Sequence, residues 1–429
     1  MSARTSRFPG FYKMDVDERR LLVEKATGAN DIADACEAGG IDATVADKIV
    51  ENVIGTYALP LAVALNVLID GEDVVVPMVV EEPSVVAAAS NAAKMVRAGG
   101  GFTSDVDEPL MIAQIELREV SDVVLAASAL VARKTMILER SNEAVPGLVA
   151  RGGGAVDMEV RVLDVATLVV HVIVDCRDAM GANLVNTVAE AVAPWLAALA
   201  DARIGLRILS NLCDRRCVRV KCRVPVDALA TETKSGADVA AAIESASRFA
   251  EIDPYRAATH NKGIMNGVDP VVLATGNDWR AVEAGAHAFA ARSGRYVPLA
   301  TWRHVGDLLE GSIELPLALG TVGGTLRVHP TARMALRLLG SPSATRLAAI
   351  AAAVGLASNL AALRALATDG IQRGHMSLHA RSVAVAAGSP IHLVDRVAKR
   401  IVESGVISVD SAVRALEELH GADTEAAAE

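Results

Sequence analysis

The segment ATHNKGIMNGVDPVVLATGNDWR, residues 258–280, gathers one lysine, one arginine, two aspartates, three asparagines, a histidine and three glycines. These residue types can hold and move charge. Lys262 lies in THNKGIMNG, whose glycines and asparagines read as a loop, and Asp278 follows sixteen residues later. A fixed ammonium beside a carbonyl that gains negative charge stabilises the transition state more than the ground state, and a neighbouring carboxylate would hold the ammonium in place. The plainer reading has Asp278 capping a helix whose apolar stripe is Trp279, Val282, Ala286 and Phe289, with Lys262 a solvated loop cation. Spacing alone favours the plainer reading.

Three further places offer reactive groups. VVEEPS sets Glu81 and Glu82 at a proline-stiffened corner between a strand and a helix, with Ser84 as candidate N-cap. A Glu82 buried near a substrate carbonyl would have a raised pKa and serve as a proton donor, whereas the motif standing alone reads as a hydrated turn carboxylate. DCRDAMGAN, residues 175–183, follows the alternating strand LVVHVIVD and opens a helix. Amides at such a start can cradle a pyrophosphate, with Gly181 allowing close approach, although a glycine before a helix is usually just a cap. Neither a Rossmann GxGxxG nor a Walker A motif occurs. GHMSLH places His375 and His379 four residues apart, and Met376 stands where an HExxH zinc helix needs glutamate. The histidines are then surface or capping groups, or a proton donor on a glycine-flanked mobile segment.

These groups must be carried by a large framework. A chain of 429 residues exceeds the usual single core, so two or more domains are expected. With 52% hydrophobic but only 3% aromatic residues, the core is built from Ala, Val, Leu and Ile. Residues 14–55 read mostly as helix. NVLIDGEDVVVPMVV reads as two strands joined at Asp70-Gly71, and the next helix is stopped by Gly99–Gly101. From about residue 109 the order strand, helix, strand, strand, helix, strand resembles a split βαβ, ferredoxin-like insert reaching residue 213. Beyond it, long loops surround a helix at 279–293. TRLAAIAAAVGLASNLAALRALA forms a second long helix, and after Gly370 and Gly374 a polar helical segment reads as a mobile lid.

Composition also excludes partners. A net charge of −10 without a dominant Lys/Arg cluster argues against nucleic acid. Five cysteines, an odd number, with no signal-peptide pattern favour reduced thiols in a cytosol. Cys213, Cys217 and Cys222 contain no CxxC pair, so no zinc site is expected. The alanine-rich run Leu347–Leu363 approaches the length of a membrane span, but Gly355, Ser358 and Asn359 interrupt it, so it reads as a buried helix.

Taken in order, VVEEPSVVAAAS, DAMGAN, THNKGIMNG with ATGNDWRAVEAGAHA, and IQRGHMSLHA resemble the 3-hydroxy-3-methylglutaryl-coenzyme A reductases, in particular the soluble bacterial class II enzymes that include mevalonate-degrading members. The likeness runs from SRFPGF almost to the end, and the final helix and tail match least. It implies an α+β fold. Residues 1–108 and 214–370 would form a large, mainly helical substrate-binding domain, 109–213 a small ferredoxin-like, non-Rossmann nicotinamide domain, and 371–429 a mobile C-terminal helical flap. It implies a four-electron conversion of HMG-CoA to mevalonate and coenzyme A through a hemithioacetal and mevaldehyde, running in either direction without a metal.

The resemblance carries the family's catalytic groups onto Glu82, Lys262, Asp278 and His375. Lys262 would stabilise the oxyanion, Asp278 hold Lys262, Glu82 supply protons to the carbonyl oxygen, and His375 protonate the departing thiolate. Substrate contacts would come from Ser84, Arg256, Thr259, Asn266 and His379, and nicotinamide contacts from Asp178, Met180, Gly181, Ala182, Asn183 and Asn211. NADH is favoured over NADPH by overall likeness. However, Val145 stands near where NADH-using relatives can carry an aspartate, leaving Glu143 to favour NADH, or Arg140 and Arg151 to accept a phosphate. A cytoplasmic homodimer or higher homo-oligomer with interfacial active sites is implied, with no membrane partner. The competing readings are another CoA-thioester or aldehyde oxidoreductase, for which no cysteine nucleophile motif is present, and a catalytically silent ligand-binding homologue, against which Lys262 and His375 are retained.

Overall fold

A computed structural model describes residues 5–36, 40–368 and 371–426, with side chains described throughout except at 325, 371–378 and 421–426. Asp15 and Glu18 cap each other's amides and open helix α1 (Val16–Thr27), which ends at the left-handed Gly28. Two short helices follow, α2 (Ile32–Cys36) and α3 (Ala43–Ala46), and residues 51–60 form neither helix nor strand, so the region is less helical than its sequence suggests. Strands β1 (Leu61–Ile69) and β2 (Glu72–Val79) pair as an antiparallel hairpin. Its turn is Asp70-Gly71, with φ of 52° and 80°, the backbone that a two-residue hairpin turn demands. Helix α4 (Val85–Ala98) packs back on β1, and the glycines after it lead into β3 (Phe102–Val106). A Cβ at Gly99 would sit 2.0 Å from the Arg223 carbonyl, so the strand can pass there only beside glycine.

The chain then builds a second sheet from β4 (Leu110–Arg118), helices α5 (Val123–Val131), α6 (Lys134–Glu143) and α7 (Pro146–Val149), strands β5 (Gly154–Val162) and β6 (Leu168–Asp175), helix α8 (Ala182–Ala200) and β7 (Arg203–Leu209). Its order is β5-β6-β4-β7 with every neighbour antiparallel, the order of a split βαβ unit. All eight residues of β6 are buried. Four of them, Leu168, Val170, Val172 and Val174, join Met111, Ile115, Leu117, Val185 and Leu196 in a core separate from that of the first sheet.

Strand β8 (Cys217–Pro225) returns to the first sheet. Helices α9 (Gly236–Ile252), α10 (Pro254–Ala274) and α11 (Trp279–Ala290) precede a second hairpin, β9 (Ala300–Val305) and β10 (Leu308–Pro316). The completed sheet runs β2-β1-β3-β8-β10-β9. One expectation is corrected and another extended. The large part of the molecule, whose helices outweigh its strands, also holds a six-stranded sheet that its sequence showed only in part, and residues 254–274 form one helix rather than long loops. Helices α12 (Pro330–Leu338) and α13 (Ala344–Ala367) follow. Among the described residues α13 is the one helix long and apolar enough to cross a membrane, yet every residue from 347 to 360 is buried in the protein. The last helices, α14 (Ile371–Ala386), α15 (Val394–Glu403) and α16 (Val409–Ala426), share a further small core around Ala384, Leu393, Val397 and Ala412.

Candidate active site

Helix α10 starts where Asp253 accepts from the Arg256 amide at 2.9 Å and Pro254 takes the first helical position. It continues through the glycines that made its sequence look like a loop. Their role is contact: a Cβ at Gly267 would lie 2.5 Å from the Val354 carbonyl, and one at Gly355 would lie 2.7 Å from Val268 Cγ2, so α10 and α13 cross nearly backbone to backbone. The inward amides are structural as well. Asn261 donates to the Val297 carbonyl at 3.0 Å and accepts from the Leu299 amide at 2.9 Å, while His260 Nε2 meets the Ala300 carbonyl at 3.1 Å. The other face carries Thr259, Lys262, Asn266 and Asp269, spaced three, four and three residues apart and hence in one stripe. Pro270 has no N–H for the Asn266 carbonyl, so that acceptor is left without its helical partner.

Lys262 Nζ lies 3.2 Å from Glu82 Oε2, joining residues 180 apart in sequence. Both side chains face solvent in this chain, at 63% and 40% exposure, so Glu82 is here the hydrated turn carboxylate that the corner motif reads as when it stands alone. Among the described residues no ion pair joins Asp278 to Lys262 within this chain. Its carboxylate accepts from the Arg280 and Ala281 amides at 3.1 Å each and lies 3.5 Å from Arg280 Nε, and this work as the N-cap of α11 keeps it on its own helix. Ser84 occupies the N-cap position of α4 with φ of 73°, but its hydroxyl donates to the Pro83 carbonyl at 2.5 Å and makes no cap bond. Arg256 is half-buried without an ion-pair partner among the described residues, and burial lowers its pKa from the ordinary guanidinium value. A ligand carboxylate would satisfy it. Thr259 is exposed beside it, and His379 is exposed on α14. His375 falls within α14, but its side chain lies outside the described residues.

The nicotinamide candidates gather at the start of α8. Gly181, with φ of 107°, is its N-cap, no side chain caps the helix, and a Cβ there would meet Cys176 Sγ at 2.5 Å. The uncapped first-turn amides around Ala182 suit a phosphate-bearing cofactor. Beneath them the buried Arg216 donates to the carbonyls of Ala179, Met180 and Leu319 at 3.3, 3.1 and 2.5 Å. Asp178 turns its carboxylate to the Ala344 amide at 2.8 Å, at the start of α13. Asn183 and Asn211 are exposed. Asn277, which no motif in the sequence marks, accepts from the Gly320 amide at 2.7 Å, and a Cβ at Gly320 would meet the Met180 amide at 2.5 Å. The residue before Asp278 is thus packed through one glycine onto the DAMGAN turn. Arg216 was equally invisible, since nothing in DRRC marks which arginine turns inward.

The thiols are poor nucleophiles. Burial pushes Cys176 up to about 12 and Cys213 up to about 11, leaving each protonated at neutral pH. Among the described residues no group of three or more His, Cys, Asp or Glu is placed to hold a metal ion.

The family model for hydroxymethylglutaryl-coenzyme A reductase matches residues 15–380. The chain is 49% identical over 423 residues to the 3-hydroxy-3-methylglutaryl-coenzyme A reductase of Archaeoglobus fulgidus, covering 97% of this chain and 95% of that one. It is 34% identical to a probable reductase of the same name from Borreliella burgdorferi, covering 78% and 77%. Among solved structures it is similar to the Streptococcus pneumoniae reductase, with a TM-score of 0.82, 42% identity, and coverage of 96% of this chain and 100% of that one. It is also similar to the class II Streptococcus pneumoniae enzyme bound to NADPH in open conformations, with a TM-score of 0.81, 43% identity, and coverage of 84% and 100%.

Proposed function

The chain belongs to the hydroxymethylglutaryl-coenzyme A reductase family and is an HMG-CoA reductase, and from that membership we propose how its own residues perform the reaction. The observation that carries the reading is the Lys262–Glu82 contact of 3.2 Å, which sets an ammonium beside a carboxyl group on an open face. A nicotinamide, when bound, supplies the hydride for each of two reductions. Lys262 stabilises the substrate oxygen as it gains negative charge, first at the thioester and then at mevaldehyde. Glu82 delivers the proton to that oxygen. His375 protonates the coenzyme A thiolate as the hemithioacetal C–S bond breaks, which stops the thiolate from adding back. Arg256 binds the carboxylate of the hydroxymethylglutaryl group, with Ser84, Thr259, Asn266 and His379 completing the substrate contacts. Asp278, held at the N-cap of α11, tunes the charge and the proton network around Lys262.

In this reading residues 1–108 and 214–370 bind HMG-CoA, mevalonate and coenzyme A, residues 109–213 bind the nicotinamide, and residues 371–429 form the flap that brings His375 to the site. The openness of the Lys262–Glu82 pair suits a site completed by a second copy of a cytoplasmic homo-oligomer. The nicotinamide is held at Met180, Gly181, Ala182 and Asn183, with Asp178 and Asn211 alongside. NADH is the proposed reductant. Val145 is buried and offers nothing to a cofactor, whereas Glu143 is exposed. The competing feature is Arg177, which donates to the Gly152 carbonyl next to Arg151, so two cations flank a turn that would take a 2′-phosphate.

The experiment is a paired assay of the purified protein with HMG-CoA and either cofactor. Consumption of about two nicotinamides per thioester is expected, as two hydride steps require. No oxidation of either cofactor would sink the assignment. A kcat/KM that favours NADPH would move the turn at Gly152 to phosphate binding.

A further inference from the structure

Asp269 lies at the lower end of the stripe that carries Lys262 and Asn266, turned toward α11. Its carboxyl group hydrogen-bonds the side chain of Glu283, and its Oδ1 is buried with no donor to accept from. Glu283 Oε2 lies 2.5 Å from His287 Nε2, and His287 Nδ1 lies 2.7 Å from the Tyr296 hydroxyl. Tyr296 stacks on the imidazole and hydrogen-bonds Asn261, the residue before Lys262. The contacts therefore leave α10 at Asp269, run along α11, and return to α10 at Asn261. Lys262 and Asn266 stand on the length of helix between the two ends.

Two carboxyl groups in hydrogen-bond contact do not both ionise readily, so the pair shares a proton. Burial and then Glu283 push Asp269 up to about 8, while His287 holds Glu283 below the usual carboxylate range. Glu283 in turn holds His287 above the usual imidazole range. The protonated partner is thus Asp269, donating to an ionised Glu283 that also accepts from His287. Helices α4, α9, α12 and α13 and strand β2 also pack on α10, and among the described residues the groups that shift Asp269, Glu283 and His287 are these three themselves.

We propose that Asp269, Glu283 and His287 form a proton-sharing brace that fixes the helix carrying Lys262 against the helix capped by Asp278, making Asp269 and Glu283 positioning residues for the reduction. The brace bears on catalysis only through the roles proposed for Lys262 and Asp278. Loss of the shared proton sets two negative charges against each other and opens the helix pair, so activity should decline in alkaline solution as Asp269 ionises.

Infrared spectroscopy of the intact protein tests the brace without turnover. The wild type should show a protonated-carboxyl band at neutral pH that disappears in alkali and is missing from Asp269→Asn. The amide of Asp269→Asn still donates to Glu283, so its kcat should stay within about threefold of wild type and hold level where the wild type declines, whereas Asp269→Ala should lose about tenfold to a hundredfold in kcat with little change in KM. A wild-type spectrum without the titrating band, an alkaline decline that persists unchanged in Asp269→Asn, or a wild-type kcat in Asp269→Ala would each overturn the proposal. If Asp269→Ala fails to fold, the band and the Asp269→Asn profile still decide. If Lys262→Ala kept both hydride steps, the lysine assignment would fall, and the infrared titration would still decide whether the brace exists.

Discussion

Lys262 and Glu82 meet in a pair that contributes little to stability. An exposed ion pair is worth about 0.2–1 kcal/mol, because water screens it and two side chains lose freedom to form it. A cation aimed at a developing oxyanion is worth far more to the rate, and removing one such group typically costs about a hundredfold to a thousandfold in kcat. Lys262→Ala should therefore abolish most turnover with HMG-CoA and with free mevaldehyde while leaving the melting temperature nearly unchanged. His375→Ala should behave differently, sparing mevaldehyde reduction because no thiolate leaves in that step. Equal loss of both activities in the histidine variant would refute its assignment. Chemistry alone left both residues of the pair with plainer readings, the order of the motifs singled them out, and their partnership was not legible: contact across 180 positions is decided by the packing of α4 and α10 and leaves no local trace. Asp278 shows the converse, since its cap was readable from the apolar stripe behind it, and that cap is what the structure displays.

At the scale of elements, the hairpin at Asp70-Gly71, the split βαβ order and the buried α13 were legible because turn chemistry and periodicity act locally. Helix α10 was not, because its glycines serve a neighbour 80 to 100 residues away. Local propensity says that a glycine within a helix costs about 1 kcal/mol relative to alanine. At Gly263, where a Cβ would find only Ala362 Cβ at 3.9 Å, that rule should hold, and Gly263→Ala should raise stability by up to about 1 kcal/mol. At Gly267 a Cβ would lie 2.5 Å from the Val354 carbonyl and 2.9 Å from the Gly355 Cα, so Gly267→Ala should destabilise by about 1–3 kcal/mol through overpacking. Urea unfolding of the two variants would show opposite shifts in midpoint. Shifts of the same sign would mean that propensity, not helix contact, governs the crossing. Asn359 makes the same point within α13: it interrupts the apolar run because its side chain accepts from the indole N–H of the wholly buried Trp302 at 2.8 Å.

Across the whole molecule, acid and alkali act on different joints. Arg97 helps hold Asp73 below the usual carboxylate range where β2 meets α4, and Arg219 does so for Asp107 where the chain leaves one sheet for the other. Their contributions are present above the unfolded carboxylate pKa and are lost as pH falls through the lower folded values. His260 acts in the same direction at higher pH. It is 1% exposed, its Nδ1 is buried without a partner, and burial lowers its pKa to about 4. The unfolded chain therefore binds a proton that the folded chain refuses, and stability falls as pH drops from about 6.5 to about 4, by at most about 3 kcal/mol from this group. Asp269 has the opposite sign, because its raised pKa makes the folded state the better proton acceptor and its contribution declines as pH rises toward about 8. Between about pH 4 and about 6.5 the two slopes oppose each other, so the share that belongs to His260 is read as the difference between the wild type and a variant without the imidazole. In His260→Gln, whose amide can still donate to the Ala300 carbonyl, the fall between pH 6.5 and pH 4 should be shallower than in the wild type when urea midpoints are compared across that range. Parallel curves would show that the acid limb belongs to the carboxylates alone and that the imidazole is not linked to folding.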